Sequence, residues 1–214
     1  MVIHIDAGHG GRWRPNPPQG DPGVVLGNRL ESHYTFQYAL RLRDVLSAAG
    51  FTVRLTRDQD EYTVDNKLRT RETKPGDVFI SLHFDSVGGR RLIYYAGLKG
   101  GAESLNLARS IDKHFGSGDL RASTSSRFGR LYIDDAKCPA ILIEINTIDK
   151  ADDSEAAMTE FAQKVLSGLR EYTGSPSMPF ERVFIVGETT TKELSVEKMS
   201  IVGNKLYVKT NTRI

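Results

Sequence analysis

Two hydrophobic runs in this chain end on a histidine followed by turn-forming residues. They are Ile5-Asp6-Ala7-Gly8-His9-Gly10-Gly11 and Ile80-Ser81-Leu82-His83-Phe84-Asp85-Ser86. The ends of buried strands are where an α/β protein gathers chemistry from distant parts of its chain. Two imidazoles delivered in this way suggest a metal site. Glu31 is a third candidate. At a helix start packed near two strand ends it could supply an oxygen ligand to zinc. As the last residue of Asn28-Arg29-Leu30-Glu31 it could equally close a capping box and tie down helix amides. Glu144 follows Ala140-Ile141-Leu142-Ile143, so its carboxylate emerges from the most apolar strand of the chain. Burying an unpaired carboxylate costs on the order of several kcal/mol. Such a group is either paired with a nearby Arg or Lys or serves as a general base.

Taken singly, each residue has an ordinary explanation. His9 sits in a glycine-rich turn, and His83 alone could be a hydrogen-bonded structural residue. A phosphate-binding loop at His9 fails on context, because such a loop must open directly into a helix. Here Gly11 leads into Arg12-Trp13-Arg14-Pro15-Asn16-Pro17-Pro18, which cannot start one promptly. His4 falls within the first strand, and His33 and His114 fall on helices; all three are expected to be structural or exposed. Cys138 is the only cysteine and precedes Pro139 and an apolar run, which suits a small core residue better than a nucleophile.

The elements that must position these groups alternate between strand and helix. Val2 to Ile5 is a short apolar strand, and Gly8 to Gly27 is a proline-rich loop. A helix opening at the Asn28–Glu31 box should run to about Ala49, with Ala39, Leu42, Val45, Leu46 and Ala49 on one side and Gly50 stopping it. Phe51 to Thr56 alternates as a strand does. A short helix near Asp65 to Glu72, strands at Val78 to His83 and Leu92 to Ala96, and a helix from Glu103 to Phe115 follow. Leu131-Tyr132-Ile133 and Ala140 to Ile145 are expected to be strands, and Asp152 to Tyr172 a closing amphipathic helix. This order predicts an α/β fold, a mainly parallel twisted sheet of about six strands with helices on both faces.

Residues 1–174 would form that domain. Gly174-Ser175-Pro176-Ser177-Met178-Pro179 has the composition of a linker. Val183 to Val186, Leu194 to Val196, Met199 to Val202 and Leu206 to Val208 would make residues 180–214 a small β appendage. Their separators are Gly187-Glu188, Glu197-Lys198 and Gly203-Asn204. The 214 residues suit one sizeable domain plus this tail. A domain of that size buries about 70% of its unfolded surface and needs no disulfide. A formal charge of +2 is too small to imply a nucleic-acid partner. No run approaches the roughly 20 apolar residues that span a bilayer. Met1-Val2-Ile3-His4-Ile5 runs directly into the first strand without a signal-peptide pattern. The expectation is therefore a soluble chain made in the cytosol, or one whose leader has been removed.

In order along the chain stand Asp6-Ala7-Gly8-His9-Gly10-Gly11, Asp21-Pro22-Gly23, Glu31, Leu55-Thr56-Arg57, Ser81-Leu82-His83 and Pro139-Ala140-Ile141-Leu142-Ile143-Glu144. Together they resemble the type-3 family of N-acetylmuramoyl-L-alanine amidases, zinc enzymes that cut bacterial peptidoglycan. The resemblance covers roughly Val2 to Tyr172 and preserves the family's motif order. It implies Zn2+ as cofactor, His9, Glu31 and His83 as its ligands, and Glu144 as the catalytic carboxylate. It also implies hydrolysis of the amide between N-acetylmuramic acid and the L-alanine of the stem peptide.

The chain departs from the family pattern at three places. Arg12 to Gly20 is inserted, Asp85 stands where Asn is frequent, and Ile145-Asn146-Thr147-Ile148-Asp149 replaces a Gly-Phe-Ile-Ser-Asn segment. These departures concern substrate subsites more than the metal. Two other readings stay open: a wall-binding module whose amidase site is degenerate, and a zinc peptidase cutting within the stem peptide. The absent leader and short tail fit a phage or prophage lysin that reaches the wall at lysis. A bacterial amidase trimmed of its export signal fits nearly as well. The C-terminal strands could anchor the wall or pair two chains into a homodimer through exposed edges.

Overall fold

The structure is a computed structural model. It describes residues 1–15, 18–60, 65–89, 91–97, 101–126 and 130–174, together with the backbone of strands at 183–186, 191–194, 196–202 and 205–210. The chain divides into two compact units, Met1–Thr173 and Gly174–Ile214.

The first unit opens with β1 (Val2–Ala7), followed by β2 (Gly10–Pro15), β3 (Pro18–Asp21), β4 (Val25–Leu26) and β5 (Arg29–Leu30). Then come α1 (Glu31–Ala48), β6 (Thr52–Leu55), α2 (Asn66–Arg69), β7 (Val78–Asp85), β8 (Leu92–Tyr95) and α3 (Gly101–Phe115). The unit closes with β9 (Leu120–Ala122), β10 (Ala140–Thr147) and α4 (Glu155–Thr173). Six strands form one sheet in the order β6-β1-β7-β10-β8-β9. β6, β1, β7 and β10 are mutually parallel, while β8 runs antiparallel to β10 and β9 parallel to β8. The expected α/β class, mainly parallel with about six strands, is what the structure has.

Alternation along the central strands sorts their side chains into two cores. Ile3, Ile5, Ile80, Leu82, Ile141 and Ile143 face α1, α3 and α4 in the larger cluster. Phe79, Ala140 and Leu142 face the other way, onto Ile133, Ala136 and Cys138. That second face is covered by α2 and 3-10 turns rather than by long helices. It is the face that carries the candidate site, and its thin cover leaves room for a cleft. Cys138 is buried there, and burial pushes its thiol up to about 12. A thiol so far from ionisation is a packing group.

The apolar stripes of α3 and α4 pack so closely that a Cβ built on Gly168 would lie 2.5 Å from Ile111 Cα. Helix propensity favours Gly168→Ala by about 1 kcal/mol. Overpacking costs about 1–3 kcal/mol, and more where the obstacle is backbone. Gly168→Ala is therefore expected to be net destabilising, read as a lower urea midpoint at unchanged slope; an unchanged or raised midpoint would contradict it.

Four local expectations are corrected. The Gly8–Gly27 loop contains two hairpins, β2 with β3 and β4 with β5. The helix expected to open with a capping box begins at Glu31, with Leu30 as N-cap and no side-chain cap bond. Asn28 lies in the β4–β5 turn, so Glu31 stands too early in the helix for the third-residue role a capping box needs. Leu131-Tyr132-Ile133 is no strand: Tyr132–Asp135 is a 3-10 turn packed across the second core. β9 was not expected at all, because its three residues carry too short a pattern.

In the second unit β11 (Val183–Val186) pairs antiparallel with β12 (Thr191–Leu194), and β13 (Val196–Val202) with β14 (Lys205–Thr210). Glu197-Lys198 lies inside β13 rather than between strands. Most of the linker segment, from Ser175 to Pro179, and the expected separators Gly187-Glu188 and Gly203-Asn204 fall outside the described residues. Among the described residues, no helix is long and apolar enough to cross a membrane.

Candidate metal centre

Four parallel strands deliver their C-terminal ends to one edge of the sheet, and the site forms there. His9 lies two residues beyond β1. The Gly8 amide donates to Leu82 O at 3.1 Å, which keeps this stretch against β7 after the strand ends. His9 itself takes φ of +60°, alone among the described non-glycine residues. A left-handed conformation at such a residue is uncommon and turns its side chain out of the strand's alternation. His83 lies within β7, in register with Glu144 on the adjacent β10. Residues paired in register on parallel strands share a face, so the imidazole and the carboxylate enter the same cleft.

Glu31 is 2% exposed, and its carboxylate lies between the two rings. Its Oε1 lies 3.1 Å from His9 Nε2 and 3.0 Å from His83 Nδ1. The same carboxylate accepts the Phe84 amide on Oε1 at 3.0 Å and the Val24 amide on Oε2 at 2.9 Å. The helix-start glutamate thus faces the sheet edge instead of capping its own helix. Ligand atoms of His9, Glu31 and His83 all lie within 4.8 Å of one another, a spacing at which they could hold a metal ion. The ring centroids of His9 and His83 are 4.8 Å apart, and the rings meet at 76°.

The electrostatics favour a cation at the centre of this group. Burial works against charge on His9, but the carboxylates of Asp21 and Glu31 outweigh it and raise its pKa to about 10. Burial likewise opposes charge on Glu31, and bonds from His83 and His9 hold its pKa well below the usual carboxylate range. Two ring nitrogens facing one carboxylate oxygen need positive charge between them, supplied by ring protons or by a metal. The donor set of two imidazoles and one carboxylate is also that of catalytic zinc sites, which keep a further position open. The residues present fit the ion.

Asp21 was legible only as part of the Asp21-Pro22-Gly23 motif. His9 Nδ1 donates to its Oδ2 at 2.8 Å, and the Gly23 amide donates to its Oδ1 at 3.2 Å. An outer carboxylate of this kind pins the ring proton on Nδ1 and leaves Nε2 to bind metal. The glycines are equally specific. A Cβ on Gly8 would lie 2.5 Å from His83 Nε2, and one on Gly23 2.5 Å from Glu31 Oε2. His4, His33 and His114 pair instead with Asp77, Asp60 and Glu171, away from this centre. The cleft encloses about 610 Å³ and is lined by all four candidate residues together with Lys67, Asp85, Tyr94, Arg130 and Tyr132. That volume is ordinary for a small-molecule or extended-polymer subsite.

Comparison with known proteins adds the family. The model of the family described as N-acetylmuramoyl-L-alanine amidase matches residues 3–171. This chain belongs to that family. The family region spans nearly all of the first unit and includes His9, Glu31, His83 and Glu144. Among relatives, the chain is 28% identical over 184 residues to the probable cell wall amidase LytH of Staphylococcus epidermidis, covering 81% of this chain and 59% of that protein. It is 27% identical over 171 residues to the protein of the same name from Staphylococcus aureus, covering 77% of this chain and 54% of that protein. The chain thus spans a little over half the length of these relatives.

Among solved structures, the catalytic domain of CwlV, an N-acetylmuramoyl-L-alanine amidase from Bacillus (Paenibacillus) polymyxa var. colistinus, superposes with a TM-score of 0.63 at 24% identity, covering 82% of this chain and 99% of that one. Ami1 of Mycobacterium smegmatis gives a TM-score of 0.66 at 20% identity, covering 82% and 98%. At these identities the superpositions show a shared fold.

Proposed function

We propose that this chain hydrolyses the amide bond joining N-acetylmuramic acid to the L-alanine of the peptidoglycan stem peptide, with zinc held by His9, Glu31 and His83. The observation that carries the reading is the meeting of two imidazoles and a buried carboxylate beside Glu144, within the family-matched region. When bound, zinc supplies Lewis acidity for the carbonyl and acidifies water. The protein's own part is placement. Asp21 and Glu31 orient His9, and Glu31 also braces His83.

Glu144, at the cleft wall in register with His83, acts as general base toward the attacking water. The same carboxyl then returns the proton to the departing alanine amine. The bond broken is the amide C–N, and the products are a free lactyl carboxylate and a free amino terminus. The cleft's volume of about 610 Å³, with Tyr94 and Arg130 among its lining residues, leaves room for more than the scissile amide. The staphylococcal relatives carry the name cell wall amidase, which supports the same substrate class. The β tail at residues 180–214 is proposed to add wall affinity.

Incubating the full chain with purified peptidoglycan should release L-alanine amino termini. The release should stop with a chelator and resume on adding zinc. Mass spectrometry should find intact stem peptides and glycan bearing free lactyl groups. Fragments cut within the stem peptide would identify a peptidase instead. Binding to the wall without any release would identify a degenerate site.

A further inference from the structure

Two of the groups that Asp6 binds, Arg69 and Tyr132, reach on to the two histidines, and no part of the proposed reaction uses Asp6. It is fully buried on the cleft side of the sheet. Its Oδ1 accepts from Arg69 Nη1 at 2.7 Å and from Thr56 Oγ1 at 2.6 Å. Its Oδ2 accepts from Ser81 Oγ at 2.7 Å and from the Tyr132 hydroxyl at 2.6 Å. Arg69 continues toward the first histidine, donating from Nη1 to Ala7 O at 3.1 Å and from Nη2 to His9 O at 2.9 Å. This guanidinium therefore clamps the backbone that carries the left-handed His9. Tyr132 continues toward the second, its phenol oxygen lying 3.0 Å from His83 Nε2.

The direction of each proton follows from donor arithmetic. Burial works against the Asp6 charge, but Arg69 and three hydroxyl donors outweigh it and hold the carboxyl at about 2. The Tyr132 hydroxyl lies 2.6 Å from Asp6 Oδ2, within donating reach of the carboxylate. An ionised carboxylate only accepts, so the phenol proton points to Asp6. The phenol oxygen is then an acceptor toward His83. Ser81 Oγ, 2.6 Å from that oxygen, has its own route to Asp6 and does not compete for the phenol proton. His83 Nε2 must therefore carry the ring proton, and Nδ1, the nitrogen that faces Glu31, is left for a metal.

We infer that Tyr132 and Asp6 are positioning residues that fix the tautomer and ring orientation of His83 for metal binding. They are the counterpart of Asp21 at His9. Each imidazole is thus held from outside by a carboxylate, directly in one case and through a phenol in the other. The inference rests on the proposed metal role of His83. Outer partners of metal-bound histidines are worth about 10- to 100-fold in metal affinity.

The test compares two variants of the full chain. Tyr132→Phe removes the link to His83 and one Asp6 donor. Thr56→Val removes an Asp6 donor on the far side and leaves the link intact. Zinc affinity, measured by competition with a chromogenic chelator, should fall by about 10- to 100-fold in Tyr132→Phe and by no more than about threefold in Thr56→Val. Nitrogen-15 spectra of the zinc-loaded wild type should show His83 protonated at Nε2 and bound through Nδ1. Wild-type zinc affinity in Tyr132→Phe, an equal loss in Thr56→Val, or a His83 protonated at Nδ1 would overturn the inference while leaving the metal centre intact. A wild-type chain that binds no zinc would overturn the metal reading and this inference with it.

Discussion

Glu144→Gln is expected to retain zinc at wild-type stoichiometry while amide hydrolysis falls by about 10²- to 10⁴-fold, the range typical for loss of a general acid–base group. The substitution keeps the side chain's shape, so the packing of β10 against β7 and β8 should be undisturbed. On the proposed mechanism it removes the group that takes a proton from water and returns it to the leaving amine. Glu144 is absent from the cluster of ligand atoms that lie within 4.8 Å of one another, which is why metal content should not follow activity down. Elemental analysis and single-turnover hydrolysis on the same sample would check both halves. Undiminished turnover in a zinc-replete variant would remove Glu144 from the mechanism.

The second large effect belongs to Glu31. Its carboxylate contacts both imidazoles and accepts the amides of Val24 and Phe84. Glu31→Ala should abolish stoichiometric zinc binding, since two imidazoles alone leave the metal without its anionic ligand. It should also destabilise the fold, because a buried amide that loses its acceptor costs about 1–3 kcal/mol. Water entering from the cleft would bring that cost toward the lower end. Metal analysis reads the first effect and urea unfolding of the metal-free protein reads the second. Full zinc occupancy would exclude Glu31 from the ligand set. Unchanged stability would mean that its two amide bonds contribute little.

These two residues also show how far the amino-acid order alone reaches. Glu144 was legible because a carboxylate after four buried aliphatic residues demands an explanation, and strand register places it beside His83. Glu31 was legible as a candidate, yet the local pattern pointed equally to a capping box. Only the helix start, one residue after Leu30, shows that the side chain has no cap to close. Tyr132 was missed because Leu131-Tyr132-Ile133 looks like a strand over so short a span. Packing of Ile133 into the second core turns it into a 3-10 segment instead and brings the phenol to Asp6 and His83. Asp21 stood in a recognisable motif, but which nitrogen of His9 it would meet is a matter of three-dimensional placement.

By itself, the order of apolar runs, turns and motifs determined the α/β class, the central strands and the histidines and acids at their ends, because hydrophobic periodicity and strand-end chemistry are local properties. The tertiary structure alone decided that residues 9, 31 and 83 meet within 4.8 Å, which ring nitrogens face Glu31, that Asp21 meets His9, and that Tyr132 stands between His83 and Asp6. Those outcomes depend on strand register, on one left-handed residue and on the packing of distant segments, and no contiguous stretch of sequence contains them.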